Sequence, residues 1–173
     1  MVALEVNKVA MSVQGENERK FIGADFDKCN GCGICELVCA LEKENVFDTK
    51  FSRIKVLRLY QLVNMPVACR FCEDAPCVRS CTRDALNQSE ETGLIIVDKV
   101  KCDGCGWCIE SCKYGAIVLN ADKKTVMVCD LCDGQPQCIE WCPEDALKLM
   151  TQKMFDEKAR KTTVNRLIPE SWR

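Results

Sequence analysis

Apolar and polar residues alternate along this chain only in short runs, each too brief for a large sheet. Residues 116–120 and 125–128 flank a polar turn at 121–124, which predicts a small hairpin. Residues 94–97 follow Glu91-Thr92-Gly93 and are expected to pair back toward 85–88. A longer strand is expected over 53–60, and a last strand over 146–150 that closes the sheet of the first part of the chain. No stretch of roughly 18 apolar residues occurs, so no membrane span is expected. Residues 1–20 carry Glu5 near their start, no basic leader and no sustained apolar run, which argues against a signal peptide and for a reducing, cytoplasmic setting.

Composition changes this picture of a small α+β protein. The hydrophobic fraction of 47% includes sixteen cysteines, and only six Phe, three Trp and two Tyr are left to fill an interior. The cysteines must therefore contribute to stability by another route: disulfides in an oxidising compartment, or metal held by thiolates in a reducing one. Histidine is absent. Haem attachment, Rieske ligation, two-Cys two-His zinc sites and Ser/His or Cys/His catalytic pairs are thereby excluded. No phosphate-binding glycine motif is present either, so nucleotide binding has no support.

The cysteines fall into four sets of four: Cys29, Cys32, Cys35 and Cys39; Cys69, Cys72, Cys77 and Cys81; Cys102, Cys105, Cys108 and Cys112; and Cys129, Cys132, Cys138 and Cys142. The first and third share the order C-x2-C-x2-C-x3-C, while the second and fourth widen the middle gap. Two intervening residues let a loop curl round a cubane and aim three thiolates at three irons. Asn30-Gly31 and Gly33, and Asp103-Gly104 and Gly106, suit such turns and bring backbone N–H groups close to the cluster sulfurs. The fourth cysteine is then expected on a helix, over 34–44 and 107–113, aimed away from its own loop. Disulfides would pair strained neighbours. Zinc held by four cysteines normally uses C-x2-C pairs a dozen or more residues apart. Radical chemistry on S-adenosylmethionine needs a C-x3-C-x2-C set, which is missing.

Taken together, these residues resemble the four-cluster ferredoxin-like electron-transfer subunits that accompany molybdenum and tungsten oxidoreductases, the dimethyl sulfoxide reductase B-subunit type. The resemblance covers residues 21–151, leaving 1–20 as an N-terminal segment and 152–173 as a tail. It implies an α+β fold of two fused bacterial-type 2[4Fe–4S] modules with a pseudo-twofold relation, sets one and four forming the outer module and sets two and three the inner. It also implies four [4Fe–4S] clusters: cluster 1 on Cys29, Cys32, Cys35 and Cys142; cluster 2 on Cys129, Cys132, Cys138 and Cys39; cluster 3 on Cys69, Cys72, Cys77 and Cys112; cluster 4 on Cys102, Cys105, Cys108 and Cys81. Spacing alone equally allows set one to pair with two and three with four. The family usually has Pro after each fourth cysteine. Here only Pro143 does so, with Ala40, Thr82 and Lys113 elsewhere, and the membrane anchor of some members is missing.

The resemblance implies a non-catalytic wire with a permanent large catalytic partner of tungsten or molybdenum pterin type, similar to the aldehyde oxidoreductase and aromatic acyl-CoA reductase group. A ferredoxin or flavin subunit is the expected second redox partner, in an anaerobic heteromeric complex. A hydrogenase or formate dehydrogenase subunit, a free polyferredoxin and a structural zinc scaffold are the alternatives. With cluster charges included the formal −2 becomes about −10, which disfavours nucleic acid. Trp107, Trp141 and Tyr114 beside the ligands are read as apolar cover rather than electron relays. Lys28, Lys101 and Lys113 are either solvated or offset cluster charge, and the basic tail is either a partner latch or a frayed terminus. So small a core cannot replace the lost iron–sulfur bonds, and the metal-free chain is expected to be largely unfolded. Circular dichroism after complete iron removal checks this, and a native-like spectrum contradicts it.

Overall fold

A computed structural model of the chain describes residues 19–59 and 63–167. Four two-stranded antiparallel ribbons and five helices surround one buried cluster that contains Phe21, Ile54, Phe71 and Leu86 together with seven of the cysteines. Strand β1 (Lys20–Ala24) pairs with β8 (Leu147–Thr151), from Lys20 opposite Thr151 to Ala24 opposite Leu147. The last strand thus closes on the first, as expected, although β1 itself carries no clear alternation. The hairpins β4 (Leu86–Gln88) with β5 (Ile95–Val97), and β6 (Val118–Asn120) with β7 (Thr125–Met127), lie where the alternation places them.

The strand expected over 53–60 is β2 (Lys55–Leu59), with Tyr60 outside the described residues. Its partner β3 (Val63–Val67) was not expected, because Pro66 weakens a strand reading; it sits opposite Val56 in a ribbon that is all edge, where a missing N–H is tolerated. This hairpin clasps the first cysteine loop. Arg58 donates from Nη2 and Nε to the Gly31 carbonyl at 2.8 and 3.0 Å, and Asn64 Nδ2 donates to the Cys29 carbonyl at 3.2 Å. Beneath it the buried Glu36 accepts from the Val56 N–H at 3.2 Å and from Arg58 at 3.3 Å.

Helix α1 (Ile34–Glu44) has the predicted bounds. Glu36 in its first turn and Lys43 in its last suit the helix dipole, and Asn45 ends it in a left-handed conformation, φ 54°. The second expected helix, α3 (Trp107–Ser111), stops one residue before Cys112. Two helices of a single turn, α2 (Pro76–Arg79) and α4 (Gln137–Glu140), carry Cys77 and Cys138 and are too short to show a period. α1 packs against α4 and α2 against α3.

Residues 152–167 are not a frayed end but helix α5 (Gln152–Leu167), which packs on β1 and β8. Phe155 meets Phe21 edge-on, ring centroids 5.8 Å apart, and Lys158 pairs with Asp25 at 2.8 Å, holding that carboxyl below its ordinary range. Residues 1–18 and 168–173, with Ile168 and Trp172 of the latch reading, lie outside the described residues. No described helix is long and apolar enough to cross a membrane.

Candidate metal centre

Each cysteine loop is wound by left-handed residues, and at Phe71 and Leu131 the N–H faces the sulfur of the first cysteine, Cys69 or Cys129. Between the first and second cysteines stand Gly31 (φ 75°), Phe71 (φ 49°), Gly104 (φ 72°) and Leu131 (φ 59°). Glycine is free there, whereas Phe71 and Leu131 each carry a strain of about 1–2 kcal/mol. In three loops the residue after the first cysteine fixes the turn: Asn30, Asp103 and Asp130 accept from the N–H of Cys32, Cys105 and Cys132 at 3.0, 3.2 and 3.0 Å. Arg70 holds that position in the second loop and has no acceptor to offer.

The fourth cysteines share a feature the sequence reading missed. Ala85, Ala116 and Ala146 each donate their N–H to the sulfur four residues earlier, Cys81, Cys112 and Cys142, at 3.2, 3.4 and 3.4 Å. The intervening left-handed residue is Asp84, Gly115 or Asp145, with φ 49°, 62° and 47°. A repeated Cys-x-x-[Asp/Gly]-Ala in sets two, three and four was its available signal. Cys39 lies inside α1 and takes its donor from afar, the Arg53 N–H at 3.3 Å. Such N–H groups stabilise a thiolate and tune any metal bound to it.

Each fourth cysteine lies beside a loop other than its own. Cys142 lines one cavity with Cys29, Cys32 and Cys35, walled by Val56, Pro66, Ala146 and Leu147. Cys81 lines another with Cys102, Cys105 and Cys108, walled by Ala85, Leu86 and Val126. Burial pushes the Cys69 thiol up to about 12, with Cys129, Cys77 and Cys112 adding to the rise. Cys72 and Cys77 are likewise raised by burial and then by Cys112. Cys129 rises to about 12 through burial and Cys39, Cys138 is also raised by burial, Cys129 and Cys39, and Cys108 rises to about 11 through burial, Cys102 and Cys81. Such a donor set, thiols around apolar space with N–H donors to the fourth sulfurs, fits a cubane. Among the described residues no three Cys, Asp or Glu side chains are placed to hold a single ion.

Charged side chains brace these loops. Asp130 is held by Lys43 at 2.9 Å and Arg53 at 2.7 Å, and Glu44 by Lys123 at 2.6 Å, which ties α1 to the fourth loop and the β6–β7 turn. Ser80 and Ser111, each preceding a fourth cysteine, share a 2.8 Å hydrogen bond, and each bonds the carbonyl of its own third cysteine at 3.1 Å. Lys28, Lys101 and Lys113 are all exposed. The reading of Trp107, Trp141 and Tyr114 as cover is corrected in part: they are 61%, 59% and 44% exposed, and Trp107 alone reaches a cysteine-lined cavity, as its wall.

Thiolate loops of this form, crossed by cysteines from other loops, define an iron–sulfur protein of ferredoxin type. A family of 4Fe–4S dicluster domains matches residues 60–152, more than half the chain, and the chain belongs to it. It is 42% identical over 137 residues to the polyferredoxin-like subunit of the aliphatic sulfonate oxidoreductase of Pyrococcus furiosus, across 78% of this chain and 79% of that one. The electron transport protein HydN of Escherichia coli is 32% identical over 174 residues, across 84% and 98% of the two chains. Among solved structures the backbone is similar to a chain of the BamBC active-site complex of benzoyl coenzyme A reductase, with TM-score 0.46, 23% identity and coverage of 85% and 90%.

Two expectations follow. A Cβ on Gly104 would stand 2.8 Å from the Lys124 carbonyl oxygen at φ 72°, so Gly104→Ala should cost about 1–2 kcal/mol in backbone strain beyond that clash, read as a lower anaerobic melting temperature and a partial loss of iron. In a largely unfolded metal-free chain the thiols have their ordinary pKa of about 8.5, are mostly protonated at neutral pH, and must lose those protons to bind iron. Affinity of the metal-free chain for ferrous iron should therefore rise between pH 6 and pH 9, measured by competition with a chelator.

Proposed function

We propose that the chain is a non-catalytic electron-transfer subunit in which four [4Fe–4S] clusters relay single electrons to or from the active-site subunit of a larger oxidoreductase. The observation that carries this reading is the grouping of each fourth cysteine with the first three of another set. It supports ligation of cluster 1 by Cys29, Cys32, Cys35 and Cys142, cluster 2 by Cys129, Cys132, Cys138 and Cys39, cluster 3 by Cys69, Cys72, Cys77 and Cys112, and cluster 4 by Cys102, Cys105, Cys108 and Cys81. The packing of α1 on α4 and of α2 on α3, with the reciprocal Ser80 and Ser111 bonds, favours two fused modules of pseudo-twofold relation.

The nearness of Cys129 to Cys69 supports a reading in which clusters 2 and 3 are neighbours and the order is 1, 2, 3, 4. The exposed cysteines, Cys32 and Cys105, then fall on the two terminal clusters, as a conduit between two docking surfaces requires. When bound, the clusters supply the one-electron chemistry. The polypeptide supplies spacing, apolar walls and N–H donors to sulfur. Kinship with an oxidoreductase subunit supports a permanent catalytic partner, and the resemblance at the cysteine sets favours a tungsten or molybdenum pterin enzyme, with a ferredoxin or flavin subunit at the other end and a cytoplasmic, anaerobic setting.

Anaerobic metal and sulfide analysis with EPR tests the reading: roughly sixteen iron per chain with coupled cubane signals is expected, and four zinc without signals overturns it. Double substitutions test the pairing. Cys29→Ala with Cys142→Ala should remove one cluster, leaving about twelve iron, whereas Cys129→Ala with Cys142→Ala should remove two, leaving about eight. Ligation within sets reverses the two results.

A further inference from the structure

Arg70 stands between Cys69 and Cys72, the position at which the other loops carry Asn30, Asp103 and Asp130. Its guanidinium lies 4.0 Å from the ring centre of Phe155, 4.2 Å from that of Phe21 and 5.2 Å from that of Tyr114. Those rings come from α5, β1 and the segment after Cys112, so three separate parts of the chain converge on one cation. Each ring face attracts the charge and keeps water off it. No carboxylate pairs with Arg70 within 4.0 Å among the described residues, whereas Arg53 and Arg58 are paired with acids, as is Arg83 beside the third loop. Burial works against its charge and is opposed in part by Tyr114, Cys72 and Asp156. Arg19 adds a second cation to the same loop, donating to the Cys72 carbonyl at 3.1 Å, while Asp74, itself paired with Arg79, and exposed Lys113 act on Cys72 in opposite directions.

We propose that Arg70, caged by Phe21, Tyr114 and Phe155, sets the reduction potential of the cluster on the Cys69 loop above those of the clusters on either side of it. This rests on the four-cluster reading. One electron arriving from a neighbouring cluster takes the core from 2+ to 1+ with no proton, so a core with four thiolates goes from −2 to −3. A fixed cation favours the more negative state, and a carboxylate favours the less negative one. Asp103 and Asp130 occupy the matching position in the loops of the two adjacent clusters, each paired with a cation, Arg83 for the first and Lys43 with Arg53 for the second, so charge at that position is balanced in those loops and positive in this one. The cage adds to the effect, because a charge held among rings is screened less than one in water. The loop gives up for this the side-chain turn that Asn30, Asp103 and Asp130 provide, and it retains Phe71 in a left-handed conformation. The third cluster thereby becomes a resting place for the electron in the interior of the wire, away from both exposed ends.

Redox titration followed by EPR on the anaerobically purified holoprotein decides the matter, with iron and sulfide measured on each sample. Arg70→Gln should lower one of four midpoint potentials and leave three in place. Arg70→Lys should restore most of that shift, and Asp103→Asn should raise a different one. Four unchanged midpoints in a fully loaded Arg70→Gln protein, or a uniform shift of all four, overturn the proposal. If Arg70→Gln does not load fully, Phe155→Leu, which keeps the charge but opens the cage, should lower the same midpoint by less, and an unmoved midpoint there overturns it. Wild-type iron and sulfide short of four clusters overturns the reading of function instead, a result that potentials do not mimic.

Discussion

In the proposed ligation, a thiolate aimed from one loop at the metal of another is the constraint on which this fold depends. Seven cysteines are buried among the core side chains, and burial, with the neighbouring cysteines adding to it, drives several of their thiols far above the ordinary range. A buried thiolate without a cation is costly, and so is a core with few aromatic and branched side chains. Iron resolves both at once, since it offsets the thiolate charges and ties segments distant in sequence. Helix α1 shows how local structure serves this end. Cys35 and Cys39 stand one turn apart on it, yet Cys35 shares a cavity with Cys142 while Cys39 adjoins Cys129, Cys132 and Cys138. With the proposed ligand sets one helix addresses two metal sites, and its rigidity fixes the distance between them.

What the sequence made legible follows the strength of local rules. Cysteine spacing and the neighbouring glycines are dictated by short-range geometry, so the loops, α1 and the two inner hairpins could be read directly. Elements held by distant partners could not. β1 pairs with a strand more than a hundred residues away, and β3 contains Pro66 and owes its existence to Arg58 and Asn64 gripping the Cys29 loop. Helix α5 was legible only as a charged tail because a single aromatic, Phe155, anchors its first turns, against Phe21 and Arg70. The donors to the fourth sulfurs were hidden for a different reason. A backbone N–H has no letter in the sequence, and only the recurrence of Ala after Asp or Gly betrays it.

The four loops are built on one plan but are not electrostatically alike, and the differences lie where function needs them. The first is clasped by a hairpin whose Arg58 is already matched by Glu36. The fourth is embedded in the Lys43, Arg53, Asp130 and Glu44 network, where cations and acids nearly balance. In the second, Arg79 pairs with Asp74, while Arg70 and Arg19 have no paired acid among the described residues. A conduit of identical sites would move electrons no faster in one direction than the other, and it would hold them at no particular place. Unequal charge around similar loops gives each site its own affinity for an electron without altering the covalent ligands. Repetition of the cysteine motif therefore fixes the number and spacing of sites, while the residue after the first cysteine is free to differentiate them. Because that residue also sets the turn, a change of charge there costs the loop a hydrogen bond: Asn30, Asp103 and Asp130 each accept an N–H of their own loop, and Arg70 cannot.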